Sequence, residues 1–147
     1  MSKTNSWEND LLLLLFNNAN AADIGDATGL RGSTTAGSLY VSAHTANPDE
    51  AGAQNSSEAS YGGYARVAVA RTSGGWTVAN NTVTNAATIS FPQCTSGSQT
   101  ITHFGVGVAS GIGAGKLLYK GALDASRAIS AGIILEFAAG DLDGSED

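Results

Sequence analysis

The sequence predicts a mainly β protein: a jelly-roll-like antiparallel β-sandwich with one N-terminal helix. Three observations lead there. From Ser38 onward apolar and polar residues alternate with a period of two. Gly, Pro and Asn turn signals interrupt that alternation at roughly even spacing, as in sandwiches and jelly rolls. Only the first stretch of the chain has helical spacing, and strands do not alternate with helices as a doubly wound fold would require.

The helix is predicted near the N-terminus, capped by Asn5 with Glu8 three residues later; Glu8 and Asp10 suit the positive end of its dipole. Trp7, Leu11, Leu14 and Leu15 fall on one face, with Leu12, Leu13 and Phe16 around the remainder. A helix apolar all round needs cover on more than one side. One small sandwich covers one side, so a second subunit or a host surface is expected on the other. Residues 23–37, "DIGDATGLRGSTTAG", form a long loop, and loops of that length are commonly functional or ordered by a partner.

The strands follow. Leu39, Val41 and Ala43 alternate with Tyr40, Ser42 and His44. Val67 and Val69 alternate with Arg66 and Ala68. Phe104, Val106 and Val108 share a face, as do Ile133, Leu135 and Phe137. "GWTVAN", "ATISF" and "GKLLYKGAL" supply further short strands. Turns are predicted at Asn47-Pro48, Gly62-Gly63, Ser73-Gly74-Gly75, Asn80-Asn81 and among the glycines between 111 and 115. The organisation expected is a helical segment over 1–22, the loop over 23–37, a sandwich over 38–140 and an acidic tail over 141–147, within a single domain.

Composition narrows function. The chain has 147 residues, enough for one domain with a real core. Seven basic residues against thirteen acidic ones give a net charge of −6, with no clustered Lys/Arg stripe. Nucleic acid is therefore not expected as a partner. "LLLLLF" followed by "NANAA" imitates a signal peptide, but its apolar run is short and acids stand where a basic flank belongs; it is also too short to span a membrane. No signal peptide and no membrane partner are expected. Cys94 is the single cysteine, so no internal disulfide forms, and it is expected as a partly exposed free thiol. Four of the thirteen acids lie in the last seven residues, "DLDGSED", expected as a solvated, frayed terminus and not as a Ca²⁺ loop.

The motifs that suggest chemistry fall short of it. "SGIGAGKL" has the Gly115-Lys116 pair of a phosphate-binding loop, but Ser110 replaces its first Gly and Leu117 its Mg²⁺-binding hydroxyl. It reads as a hairpin loop. "GVGVASG" lacks the third glycine of a dinucleotide fingerprint; its glycines flatten one sheet face, suited to packing against a neighbour. His44 and His103, the only histidines, read as solvated strand residues without the spacing of metal ligands. Asp49 and Glu50 are adjacent in a Pro-initiated turn, whereas catalytic carboxylates face each other across a cleft. A Ser-His-Asp triad needs no sequence proximity, but no nucleophile elbow is present. No catalytic residue, cofactor or metal is expected, and the protein is read as a non-enzyme.

"SYGGYARVAVAR" sets Tyr61 and Tyr64 beside two glycines and Arg66, a composition suited to an interaction surface or to a turn entering a strand. Together with "SLYVSAHTANPDEAG", "GWTVANNTVTNAATISFP" and "ITHFGVG", this string resembles a family of small tailed-bacteriophage virion proteins, variously tail-fibre-like or head-decoration proteins. The similarity runs from about Gly29 to the C-terminus and is strongest to the capsid cement members of the family. The resemblance implies a jelly-roll homodimer on the capsid exterior that binds the major capsid protein and cements neighbouring subunits. The contact residues expected are Trp7, Leu12, Leu13 and Phe16 on the helix, Leu30 and Arg31 in the loop, and Tyr61 and Tyr64. The competing reading is a receptor- or carbohydrate-binding module of a tail fibre, using Tyr61, Tyr64 and Trp76 as sugar-stacking platforms.

Overall fold

The computed structural model describes residues 1–146. It is mainly β with antiparallel sheets and one N-terminal helix, as the sequence predicts. The chain divides into two compact units, each built from segments distant in sequence. One comprises 1–38, 69–88 and 138–147; the other comprises 39–68 and 89–137.

In the first unit, α1 (Asn5–Phe16) starts one residue earlier than the Asn5 cap predicted. Thr4 is extended and its hydroxyl accepts from the Trp7 amide, so the threonine is the cap and Asn5 the first helical residue. The structure decides which face of the helix turns inward. Glu8, Leu12 and Phe16 are buried, whereas Trp7, Leu11, Leu14 and Leu15 are half-buried. Period fixes which residues share a face, but with apolar residues nearly all round it cannot say which face turns inward. α1 packs on β3 (Trp76–Ala79) and β4 (Thr82–Asn85), where the Phe16 and Trp76 rings meet edge to face at 4.9 Å.

Strands β3 and β4 form a hairpin around Asn80-Asn81, with Asn80 in the left-handed region at φ 57°. β9 (Asp143–Ser145) pairs with β4 and completes a three-stranded sheet. The acidic tail expected to fray thus contains a strand, Asp143–Ser145. Leu142 is buried, Asn85 Oδ1 accepts from the Leu142 amide at 2.9 Å, and Glu146 pairs with Lys3 at 3.1 Å. One leucine among four acids supplied the anchor.

The second unit holds β1 (Ser38–His44, its first residue counted with the other unit), β5 (Ile89–Ser90), β6 (Ser98–Gly107), β7 (Leu117–Ser130) and β8 (Glu136–Phe137). β2 (Val67–Ala70) begins in this unit and ends in the other. The main sheet runs β2-β1-β6-β7, and β5 pairs separately with β8. β7 carries a large bulge: Ile101 faces Arg127 while His103 faces Ala122, so residues 123–126 loop out opposite Thr102. A bulge on an edge strand discourages further strand pairing there.

Leu39, Val41, Ala43, Phe104 and Val106 are buried on one face of this sheet as predicted. A string of rings continues the core: Tyr61 on Tyr64 at 5.3 Å, Tyr64 stacked on Phe91 at 6.0 Å, and Phe91 edge-on to Phe137 at 6.1 Å. Cys94 is buried, not partly exposed, and its thiol lies 3.3 Å from the Ser96 carbonyl.

Candidate functional site

The polar constellation of the second unit lies where solvent was expected. Tyr40, Ser42 and His44 project from β1 on the face opposite Leu39, Val41 and Ala43. Their partners across the ladder are Gly107, Gly105 and His103. The two glycines leave a trough along this face, and the chain after β1 folds back to fill it.

Gln54 closes one end. It is fully buried, its Nε2 donates to the Tyr40 carbonyl at 3.0 Å, and its Oε1 accepts from the Ala109 amide at 3.3 Å. A Cβ on Gly107 would stand 2.3 Å from the Gln54 side-chain amide. Gly105 does the same for Ser42 and His44: a Cβ there would meet His44 Nε2 at 2.7 Å and Ser42 Oγ at 2.9 Å. These glycines therefore make room for buried side chains of the same chain, which corrects the expectation that they flatten a face for a neighbour.

His44 is fully buried instead of solvated. Its Nδ1 lies 2.8 Å from the Ser56 carbonyl and its Nε2 lies 2.9 Å from Ser42 Oγ. A carbonyl can only accept, so Nδ1 carries the proton and Nε2 accepts from the serine. Burial holds the imidazole below its ordinary pKa, opposed by the Ser56 carbonyl and the Glu58 carboxylate. Serine and histidine at this distance resemble a nucleophile and its base. However, the group orienting the imidazole is a backbone carbonyl and not a carboxylate, and both side chains are shut from solvent. As it stands, the pair fastens β1 to residues 53–58.

Beside it is a buried ion pair that sequence reasoning missed. Arg66 Nε donates to Glu58 Oε1 at 2.6 Å and Nη2 to Glu58 Oε2 at 2.7 Å. Arg66 Nη1 reaches the carbonyls of Ala109 and Ala114 at 2.9 and 2.8 Å, so one guanidinium grips both sides of the loop between β6 and β7. Tyr64 joins in: its hydroxyl donates to Glu58 Oε1 at 2.9 Å and accepts from the Ala43 amide at 3.1 Å. Burial pushes the Tyr64 hydroxyl far above its ordinary range, so it remains a donor. In a chain with 14% charged residues, an acid and a base eight positions apart around two tyrosines were the available signal.

The first unit has a counterpart. Arg71 donates to the carbonyls of Leu14 and Leu15 at 2.7 and 2.6 Å, at the C-terminal end of α1 where carbonyls lack helical partners. It also reaches Ala36 O and Ser33 Oγ, each at 3.2 Å, and so holds the end of the 23–37 loop.

The predicted contact residues are distributed unevenly. Leu12 and Phe16 are interior at 0% and 1% exposure, so neither presents a surface to a partner. Trp7 and Leu13 are half-buried, and Leu30 and Arg31 are exposed in their loop. Tyr61 and Tyr64 are 5% and 7% exposed and belong to the ring cluster, while Trp76 is 2% exposed under α1. None of these three aromatic rings is displayed as a stacking platform. Asp49 and Glu50 are exposed, Glu50 pairing with Lys120 at 2.8 Å, as a solvated turn should. Residues 108–116 connect β6 to β7, so the predicted hairpin loop over 110–117 is present up to Lys116, Leu117 being the first residue of β7. Among the described residues no group of His, Cys, Asp and Glu is placed to hold a metal ion, and no helix is long and apolar enough to cross a membrane.

Fold and site together define a mainly β protein whose Ser42–His44 and Glu58–Arg66 pairs are committed to its interior. Residues 2–145 match the family model described as podophage GP4 fiber I protein gp80, and the chain belongs to that family. It is thus a structural protein of a phage virion. No curated protein matches the sequence.

Proposed function

We propose that this protein is a non-enzymatic subunit of the outside of a podophage particle, working by attachment to a larger virion protein. The observation that carries this reading is the division of its side chains. The Ser42–His44 pair and the rings of Tyr61, Tyr64 and Trp76 are interior, whereas isolated aliphatic residues stand exposed: Ile24, Leu30, Val108, Ile112, Ile133 and Ile134. Exposed apolar residues gain most by burial against another protein.

Two placements fit. The family description names a fibre protein, which favours a place in a fibre or at its base. The interior position of Tyr61, Tyr64 and Trp76 argues against a sugar-gripping tip and for a building role there. The second placement is cement on the capsid exterior, a homodimer bridging major capsid subunits. It is favoured by the "SLYVSAHTANPDEAG" and "SYGGYARV" strings and by the half-buried Trp7, Leu11 and Leu13 on α1. Many equivalent weak contacts over a shell would then add through avidity.

Copy number per particle, measured by quantitative mass spectrometry, tests the reading and separates the placements. Hundreds of copies indicate cement and a handful indicate a fibre. Absence from purified particles would overturn both.

A further inference from the structure

We infer that the 108–116 loop is the docking element of this protein, with Val108 and Ile112 entering an uncharged apolar recess on a neighbouring virion protein. This rests on the reading of the chain as a particle subunit.

The loop combines a locked base with a free tip. Val108 N donates to the Lys116 carbonyl at 3.1 Å and closes the base. Arg66 ties Ala109 and Ala114 from below, and Gln54 ties the Ala109 amide through Oε1 and the Gly115 carbonyl through its own amide at 3.0 Å. Both anchoring side chains are buried, Arg66 being held by Glu58. The tip touches nothing comparable: a Cβ built on Gly111 or Gly113 meets no atom within 4 Å. On that tip Ile112 is 59% exposed and Val108 at its foot is 50% exposed, the two most exposed large hydrophobics away from the N-terminal methionine.

A loop that served only to connect two strands would not need a buried ion pair and a buried amide to fix its shape. Fixing the shape in advance lowers the ordering cost of binding, which is how preorganised surfaces gain affinity. The chemistry of the occupant follows from the loop's composition. Residues 108–115, "VASGIGAG", carry no charge, and the first charged residue is Lys116 at the edge. An apolar recess with neutral rims fits this surface, whereas a charged groove would leave its charges unpaired.

The test is competitive incorporation. Host cells expressing a tagged copy are infected with wild-type phage, and tagged and untagged protein are counted in purified particles by mass spectrometry. Ile112→Asp should fall at least tenfold below tagged wild type, the scale of one interface anchor. Val108→Ser should fall in the same direction. Ile134→Asp, at an exposed aliphatic residue elsewhere, should incorporate normally, and all three should melt with the wild-type protein. Docking should survive washing in 1 M salt.

Incorporation of Ile112→Asp at the wild-type level would overturn the loop assignment and leave the particle reading standing. Release by salt would overturn the apolar recess. Light scattering in which Ile112→Asp splits a wild-type dimer would overturn it in favour of a second copy as occupant. Absence of tagged wild type from particles would overturn the particle reading and this inference together.

Discussion

Arg66 and Glu58 form a two-pronged ion pair with side-chain exposures of 0% and 4%, and the same arginine holds two carbonyls of a solvent-facing loop. Breaking a buried pair from one side leaves a charge without a partner, which typically costs about 3–5 kcal/mol. Arg66→Met alone and Glu58→Leu alone should each destabilise by about that much. The double variant should recover part of the loss, because it buries no unpaired charge. Chemical denaturation of the three variants checks this, and equal losses for single and double variants would contradict it.

Gly105 and Gly107 are required by the side chains opposite them. Gly107→Ala should destabilise by about 1–3 kcal/mol, as overpacking does, and Gln54→Ala in the same chain should relieve part of the strain. Gly111→Ala, at a position with open space around it, should be close to neutral. Melting temperatures of the four proteins decide the matter, and an unrelieved double variant would count against the trough.

The burial of His44 sets a pH dependence. The folded imidazole titrates below its ordinary value of 6.5, chiefly because burial penalises the charged form. As pH falls through about 6.5 the unfolded chain binds the proton first, so stability declines with falling pH and levels off below the folded pKa. The groups facing the ring are Ser42, the Ser56 carbonyl, Glu58, Arg66 and, across the ladder, His103. His44→Gln should flatten this part of the stability profile, measured by denaturation between pH 5 and 8. A wild-type protein equally stable across that range would contradict the prediction.

On α1, neighbouring leucines should behave differently. Leu12 is fully enclosed, and Leu12→Ala should cost about 2–5 kcal/mol as cavity-forming changes do. Leu13 is half-buried, and Leu13→Ala should cost clearly less. The expectation that both serve a partner surface survives for Leu13 alone. Thermal melts of the two variants distinguish them.

Much of the fold was legible because its signals are local. The period-two runs at 39–43 and 104–106, the Asn80-Asn81 turn and the single helix each depend on residues close together in sequence. Other features were not legible for the same reason. Ser42 and His44 fall on the polar side of an alternating strand, and alternation alone puts that side in water. They are dry because Gly105 and Gly107, more than sixty positions later, leave a trough that Gln54 and the 53–58 segment fill. Tyr61 and Tyr64 suited either an interaction surface or a turn entering a strand with its rings half-buried, and packing with Phe91 places them in the core.

The sequence by itself determined the mainly β class, the one helix, the positions of most turns and the phage virion family, since periodicity, turn chemistry and family strings are written in short stretches of chain. Tertiary structure alone decided which polar groups are buried, which face of α1 turns inward, that the acidic tail contains a strand, and that Arg66 grips an exposed loop. Those outcomes depend on residues brought together across long separations, where burial and pairing are properties of the packed chain and not of any segment within it.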